Sequence, residues 1–376
     1  MKRTLLGALA LLMLLARFPV SRAVAETETE TPGLSAACCA LYEVSSGRLL
    51  YESNGDRKAY MASTTKVMTA LVAVERGEPE ALVPVPDGAV GTEGSSMYLA
   101  RGEKMLLRDL LYGLMLVSGN DAAVTIATHI AGSVEEFARL MNEKAAELGC
   151  TGTHFVNPNG LPDENHYTTA RDLARIGTAA MGNPAFREIV GASYYETASG
   201  DRPRTLKHKN KILWQYDGGN GVKTGYTRAA GKCLVFSAER NGMTLVGAVL
   251  NAPDMWNDAC KLLDYGFGLV ENRLLVEKAR PIGQATVTNG EKNVLAVYPK
   301  EDILYPVRLD GSDRLSFRVE LTPCLDAPVE AGDEAGSVTL LVNDEPVRTM
   351  PLVAGESAAR ADHSYYISKI AGAWTG

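Results

Sequence analysis

The chain has 376 residues, a formal net charge of −7, 46% hydrophobic residues and 22% charged residues. Domains usually run about 100–200 residues, so this length predicts two, and the composition is rich enough to give each a buried core. The acidic balance argues against nucleic acid as a partner, because a broad nucleic-acid surface needs a basic excess.

Residues 1–25 have the pattern of a secretory signal peptide. Lys2 and Arg3 give a positive start, residues 5–15 form an apolar run, and residues 23–25 are small enough for cleavage. The apolar run is too short to span a bilayer, and no later stretch is long and apolar enough to do so. We therefore expect an exported protein that works on the cell-wall or periplasmic side of the cytoplasmic membrane.

The next segments predict two strands and a helix. Residues 36–44 and 49–52 read as strands joined by a turn. A helix is expected from about residue 61 to residue 74, followed by loop over residues 78–104. Cys38 and Cys39 are adjacent in the first strand, so their side chains should point to opposite faces.

The middle of the chain is predicted to be helical, and period-two strands follow it. The expected helices are 106–117, 121–130, 134–148 and 168–181. The last of them has Thr168 or Thr169 as its N-cap. The expected strands are 194–198, 221–224, 232–239 and 243–250, and a helix over 254–269 closes the series.

This order of elements predicts an α+β protein. Residues 26–275 should form a mixed domain with a mainly antiparallel sheet flanked by helices and a helical subdomain. Residues 276–354 contain short alternating runs punctuated by Pro, Gly and Asp, which predict a small all-β domain. The tail, 355–376, carries aromatic residues and isoleucines at helical spacing. Both a weak membrane-surface helix, giving peripheral membrane contact, and a frayed terminus remain open there.

No cofactor or metal is expected from the cysteines and histidines. The six cysteines match no metal motif, and the five histidines show no close pairing. Although an exported chain could form disulfides, buried small hydrophobes are the favoured interpretation for most of the cysteines.

The segment from Ser63 to Lys66 can carry nucleophilic chemistry. A serine hydroxyl needs a base beside it, and residues three apart share a helix face, so the lysine amine can approach the serine oxygen. The helix N-terminus adds N–H groups near a developing oxyanion. The plain alternative is an N-cap serine followed by a surface lysine, and the tetrapeptide alone does not exclude it.

Two further motifs favour the enzyme. Ser118 and Asn120 lie at a corner between helices, where a hydroxyl can relay protons and an amide can hold a substrate peptide. Lys223, Thr224 and Gly225 lie on a strand, where a cation and a hydroxyl can bind a carboxylate beside a position without a side chain. The plain alternatives are a capped turn and an edge strand.

Together the three motifs match the set known from penicillin-binding proteins and class A β-lactamases. Gly119 replaces the aspartate of the β-lactamase form. The sequence resembles the low-molecular-mass, serine-type D-alanyl-D-alanine carboxypeptidases over nearly the whole mature chain, in residues 62–70, 114–123, 157–161 and 221–227. The resemblance implies a β-lactamase/transpeptidase-like fold followed by a β-rich domain.

The resemblance also implies roles for the acylation machinery. Ser63 would attack the penultimate D-alanine carbonyl of a peptidoglycan stem peptide, and Lys66 would accept its proton. Ser118 would bridge Lys66 to the leaving nitrogen, and the backbone N–H groups of Ser63 and Tyr226 would form the oxyanion hole.

The same resemblance assigns the binding residues. Asn120 would orient the substrate, and Lys223 and Thr224 would recognise its terminal carboxylate. Gly225 would leave room for the substrate. β-Lactam antibiotics would acylate Ser63 as covalent inhibitors.

Three alternatives remain beside the carboxypeptidase. A D,D-endopeptidase would cut cross-linked peptidoglycan with the same site. A β-lactamase would need a deacylating base, for which Glu164 is the one tempting residue, in what looks like a solvated turn. A penicillin-sensing module without turnover is disfavoured by the intact motifs.

Overall fold

The computed structural model describes residues 32–374, so the predicted signal peptide lies outside the described residues. The chain divides into two compact units, one ending at Glu271 and the other beginning at Asn272. Together they bear out the predicted mixed fold followed by an all-β domain.

The first unit contains nine strands and eight α-helices within residues 32–271. The strands are β1 Cys38–Glu43, β2 Leu49–Ser53, β3 Leu82–Pro84, β4 Lys104–Leu106, β5 Tyr194–Glu196, β6 Thr205–Lys207, β7 Gly219–Thr227, β8 Gly231–Arg240 and β9 Met243–Leu250. The helices are α1 Lys66–Arg76, α2 Leu107–Tyr112, α3 Asn120–Ala131, α4 Val134–Glu147, α5 Ala170–Gly182, α6 Pro184–Gly191, α7 Ile212–Gln215 and α8 Met255–Leu269.

The main sheet is antiparallel and five-stranded, in the order β2-β1-β9-β8-β7. The antiparallel pairing of β1 with β9 joins strands from the beginning and the end of the unit. Cys38 and Cys39 point to opposite faces, because one belongs to the core shared with α1, α3 and α5 and the other to the core under α8. All six cysteines are free thiols, four of them buried.

The predicted helix over residues 106–117 differs from the structure at both ends. Leu106 belongs to β4, where it pairs with Leu82, and the helix begins at Leu107. After Tyr112 the chain widens into a π-helical turn, Gly113–Val117. Widened turns of this kind are frequent at functional sites, and this one leads directly into Ser118.

Helix α6 was not predicted, although its sequence carries a helix-start signal. Asn183 caps it by accepting hydrogen bonds from the backbone of Ala185 and Phe186, and Pro184 occupies the first helical position. Helix α5 begins as expected, with Thr169 as its N-cap.

The second unit is built mainly of strands. They are β10 Val270–Val276, which leads in from the first unit, β11 Gly283–Thr288, β12 Val294–Pro299, β13 Ile303–Arg308, β14 Leu315–Leu321, β15 Leu325–Asp326, β16 Glu334–Val342 and β17 Glu345–Ala354. Six of them form a sheet in the order β14-β16-β17-β12-β11-β15, and β10 pairs with β13. The described chain ends in helix α9, His363–Trp374.

Candidate active site

The segment carrying Ser63 is a short 3₁₀ turn, Ala62–Thr65, that runs directly into α1. Ala62 has a φ of +48°, an unusual value for a residue with a β-carbon. Two side-chain hydrogen bonds stabilise the turn. The hydroxyl of Thr64 donates to the Met61 carbonyl, and the hydroxyl of Thr65 donates to the Ala62 carbonyl. The backbone around Ser63 is therefore held in a defined conformation.

Lys66 is fully buried, and its amine touches three oxygens. Its Nζ lies 3.1 Å from Ser63 Oγ, 2.7 Å from Asn120 Oδ1 and 2.6 Å from the Asn159 carbonyl oxygen. The structure thus brings together residues from α1, from the start of α3 and from the turn at 157–160. Asn159 was not expected to contribute, because it does so through its backbone.

The Lys66 amine lies in an environment that favours its neutral form. Burial lowers the pKa of Lys66 well below its usual value, and the positive charges of Lys223 and Lys209 lower it further. The negative charge of Asp121 opposes them. A neutral amine has two N–H donors and one lone pair. The oxygens of Asn120 and Asn159 only accept, so the Ser63 hydroxyl is the one neighbour that can donate to the lone pair.

Strand β7 approaches the backbone of Ser63 closely at Gly225. A β-carbon at position 225 would lie 3.0 Å from the backbone nitrogens of Ser63 and Thr64 and 3.1 Å from the Met61 carbonyl oxygen. The absence of a side chain at Gly225 therefore permits this packing. The Lys-Thr-Gly strand and the serine turn are neighbours, although some 160 residues separate them in the sequence.

Lys223 is 1% exposed, and its amine donates to the Thr224 carbonyl at 3.0 Å. Burial lowers its pKa to about 7, and the charge of Lys209 contributes to the shift. Thr224 is half-buried and Tyr226 is exposed beside it on the same strand.

Ser118 occupies the corner in a left-handed conformation, with φ +67°. Its Oγ is buried and has no hydrogen-bond partner among the described residues. The predicted link from Lys66 to Ser118 is therefore not formed in this structure, and Lys66 binds Asn120 instead. A buried hydroxyl that the described residues leave unpaired can form a hydrogen bond with an added group.

Asn120 joins two parts of the site. Besides accepting from Lys66, it donates through Nδ2 to the Glu93 carbonyl, and its backbone N–H donates to the Ser95 carbonyl at 2.7 Å. Neighbouring Asp121 is buried and accepts from Ser96 Oγ at 2.6 Å and from the Met97 backbone at 2.9 Å. These bonds fix the loop 93–99 against the start of α3.

Lys209 is a third lysine near the site, and it was not predicted. Its Nζ donates to the Val117 carbonyl at 2.9 Å, directly before Ser118. In the sequence it lies among Lys207, His208 and Lys211, a run that looks like a solvated charged surface. Only the folded chain places it next to the other two lysines.

Glu164 is exposed in the turn that precedes His166. Among residues 32–374 no cluster of His, Cys, Asp and Glu side chains could hold a metal ion. Within the same range, no helix is both long and apolar enough to cross a membrane.

Sequence comparisons agree with this geometry. A D-alanyl-D-alanine carboxypeptidase family model matches residues 25–254, and the C-terminal domain of penicillin-binding protein 5 matches residues 271–360. The D-alanyl-D-alanine carboxypeptidase DacF of Bacillus subtilis is 30% identical over 100% of this chain and 99% of its own length. DacA of Haemophilus influenzae is 30% identical over 93% of this chain and 92% of its own length.

A solved structure shares the fold over most of this chain. Penicillin-binding protein 5 from Haemophilus influenzae superposes with a TM-score of 0.68 at 29% identity and covers 88% of this chain and 99% of its own. The fold and the matched sequence thus define a serine-type hydrolase of the penicillin-binding class. Within that class, the chain belongs to the D-alanyl-D-alanine carboxypeptidase family.

Proposed function

We propose that this enzyme carries out its D-alanyl-D-alanine carboxypeptidase reaction through an acyl-enzyme on Ser63. The observation that carries the proposal is the 3.1 Å approach of the Lys66 amine to Ser63 Oγ inside a buried network. Because the lone pair of a neutral Lys66 faces the hydroxyl, Lys66 takes the proton as Ser63 attacks the carbonyl of the penultimate D-alanine. The released residue is the terminal D-alanine of a peptidoglycan stem pentapeptide.

The proton then travels to the leaving nitrogen. Ser118, whose hydroxyl has no partner among the described residues, bridges the protonated Lys66 and that nitrogen when substrate enters. Asn120 keeps Lys66 in place and orients the substrate peptide. Water then attacks the acyl-enzyme and frees Ser63.

Residues of β7 recognise the terminal carboxylate of the substrate. The ammonium form of Lys223 and the Thr224 hydroxyl bind the terminal carboxylate, and the missing side chain at Gly225 keeps the strand close to the nucleophile. The backbone N–H groups of Ser63 and Tyr226 stabilise the oxyanion. β-Lactams enter the same site and acylate the same hydroxyl.

The test is mass spectrometry of the penicillin-treated protein, with Ser63→Ala as the matched variant. We expect a stable adduct on the peptide containing Ser63, no adduct on the variant, and release of D-alanine from a pentapeptide by the unmodified enzyme alone. An adduct elsewhere would contradict the assignment. Faster cleavage of a cross-linked dimer than of the pentapeptide would indicate an endopeptidase, and rapid release of hydrolysed penicillin a β-lactamase.

We further propose how the chain is divided into domains and where the enzyme acts. Residues 1–25 direct export, residues 26–275 form the catalytic domain, residues 276–354 the β-rich domain and residues 355–376 the tail. The enzyme acts on the wall outside the cytoplasmic membrane and contributes to cell-wall biogenesis and cell shape. Ile367, Ile370 and Trp374 are exposed on α9, which supports peripheral contact with the membrane surface. Loss of vesicle binding on deletion of residues 363–376 tests that contact.

A further inference from the structure

His166 is a buried histidine outside the three catalytic motifs. It is 2% exposed and lies just after the exposed turn at 163–165, with its ring against the edge of Phe155. Both ring nitrogens have protein partners. The Val156 backbone N–H donates to Nδ1 at 3.1 Å, and Nε2 lies 2.8 Å from Thr65 Oγ1.

These partners determine which ring nitrogen carries the proton. Because Val156 offers only an N–H, Nδ1 has to accept and cannot be protonated. Neutral His166 therefore carries its hydrogen on Nε2 and donates it to Thr65 Oγ1. Burial lowers the pKa of His166 to about 4, although the negative charge of Asp163 opposes the shift, so this neutral form prevails at pH 7. The hydroxyl of Thr65 in turn donates a hydrogen bond to the Ala62 carbonyl oxygen, 2.8 Å away.

The Ala62 carbonyl is one half of the Ala62–Ser63 peptide. A peptide group is planar, so whatever fixes its carbonyl also fixes the direction of its N–H. Gly160 packs directly against the same carbonyl. A β-carbon at position 160 would lie 2.0 Å from the Ala62 carbonyl oxygen and 2.9 Å from Thr65 Oγ1. The positive φ of Ala62 shows that the backbone leading into this peptide adopts an unusual conformation.

We propose that His166 is a positioning residue, which holds the Ala62–Ser63 peptide through Thr65 so that the Ser63 N–H points at the developing oxyanion. The inference rests on the proposed function of Ser63. His166 touches no reacting atom. It acts through a chain of three hydrogen bonds, Val156 to His166, His166 to Thr65 and Thr65 to Ala62, each with its direction fixed by the one before.

Two amide substitutions of His166 test the contact at Nδ1 separately from the contact at Nε2. His166→Asn keeps an acceptor near the Nδ1 position for Val156 but ends short of Thr65. His166→Gln places an N–H donor near the Nε2 position and keeps the contact with Thr65. We expect His166→Asn to slow penicillin acylation by about tenfold to a hundredfold, less than the loss of a whole oxyanion donor, and His166→Gln to regain most of the rate. His129→Asn, on the exposed face of α3, is the matched control.

The kinetic form of the defect distinguishes positioning from general damage. An interaction made only in the transition state lowers kcat and leaves KM unchanged, so His166→Asn should do this with a pentapeptide substrate. The Thr65→Val variant should show the same defect, Thr65→Ser should not, and the double variant His166→Asn with Thr65→Val should be no slower than Thr65→Val alone. Nitrogen NMR of the imidazole should report hydrogen on Nε2.

Several outcomes would overturn the inference. They are wild-type acylation by folded His166→Asn, equal defects in the Asn and Gln variants, full additivity in the double variant, or hydrogen on Nδ1. If His166→Asn does not fold, the comparison of Thr65→Val with Thr65→Ser decides by itself. A failure of the proposed function looks different, because the wild-type enzyme would then carry no penicillin adduct on Ser63.

Discussion

The amine of Lys66 lies 3.1 Å from the hydroxyl oxygen of Ser63, and its two other contacts, Asn120 Oδ1 and the Asn159 carbonyl, can only accept hydrogen bonds. In the neutral form of Lys66, both hydrogens can bind these two acceptors, and the lone pair is then left for the hydroxyl of Ser63. This is the form in which Lys66 would accept the proton of Ser63 under the proposed mechanism.

Replacing Lys66 with methionine should remove the base while keeping the volume of the side chain. We expect the rate of acylation by penicillin to fall by about 10²- to 10⁴-fold, the usual contribution of a positioned general base. Mass spectrometry over time measures the rate, and circular dichroism verifies the fold. Lys232→Met, at an exposed position on neighbouring β8, is the control. Acylation of Lys66→Met at the wild-type rate would rule out Lys66 as the base.

The sequence predicted most of the first unit, because its periodicity is local. Strand β9 has the predicted bounds, and β7, β8 and α8 differ from prediction by a few residues at their ends. The three motifs were found for the same reason, since each is a short contiguous pattern. Lys209 and Asn159 escaped prediction on different physical grounds. Lys209 becomes special only because the fold brings its charge near lysines that are distant in the sequence, and Asn159 acts through a carbonyl that every residue has.

The charge of Lys209 should shift the pH range in which the enzyme works, although burial is the larger cause of the lowered pKa values of Lys66 and Lys223. Lys66 must be neutral to accept a proton, so activity rises as pH passes the lowered pKa of Lys66. Lys223 must be protonated to bind a carboxylate, so kcat/KM should fall as pH rises above about 7, the lowered pKa of Lys223. Lys209 depresses both pKa values by repulsion.

Lys209→Gln should therefore move both limbs of the pH profile to higher pH, by roughly half a unit to one unit for the loss of one nearby positive charge. The measurement is kcat/KM for a pentapeptide from pH 5 to pH 10. Lys207→Gln, an exposed lysine two residues away, should leave the profile in place. An alkaline limb that stays fixed or moves to lower pH in Lys209→Gln would contradict the assigned repulsion.

A methyl group at position 225 should separate β7 from the nucleophile. Because the β-carbon of Gly225→Ala would lie 3.0 Å from the Ser63 and Thr64 nitrogens, the turn or the strand has to shift. A displacement of about 1 Å in a catalytic group can cost roughly 10²-fold in rate, so we expect a loss of this order in acylation.

Gly268→Ala in α8 is the matched control, because a β-carbon there meets nothing within 4 Å. Alanine also favours the helix over glycine, so this variant should acylate normally and unfold at the same or a higher temperature. Normal acylation by Gly225→Ala would show that the close approach of β7 is not needed for the chemistry.

The buried ion pair between Arg204 and Glu103 should anchor the loop that borders the site. The side chains are 9% and 0% exposed, and Arg204 also donates to the carbonyls of Met97 and Tyr98, at 3.0 and 3.1 Å. Arg204→Met leaves Glu103 buried without its cation, which typically costs about 3–5 kcal/mol. Urea unfolding should show a loss of that order. The exposed pair of Arg101 with Asp87 gives the control, because Arg101→Met should leave the free energy of unfolding unchanged. Equal effects of the two substitutions would mean that the buried pair does not anchor the loop.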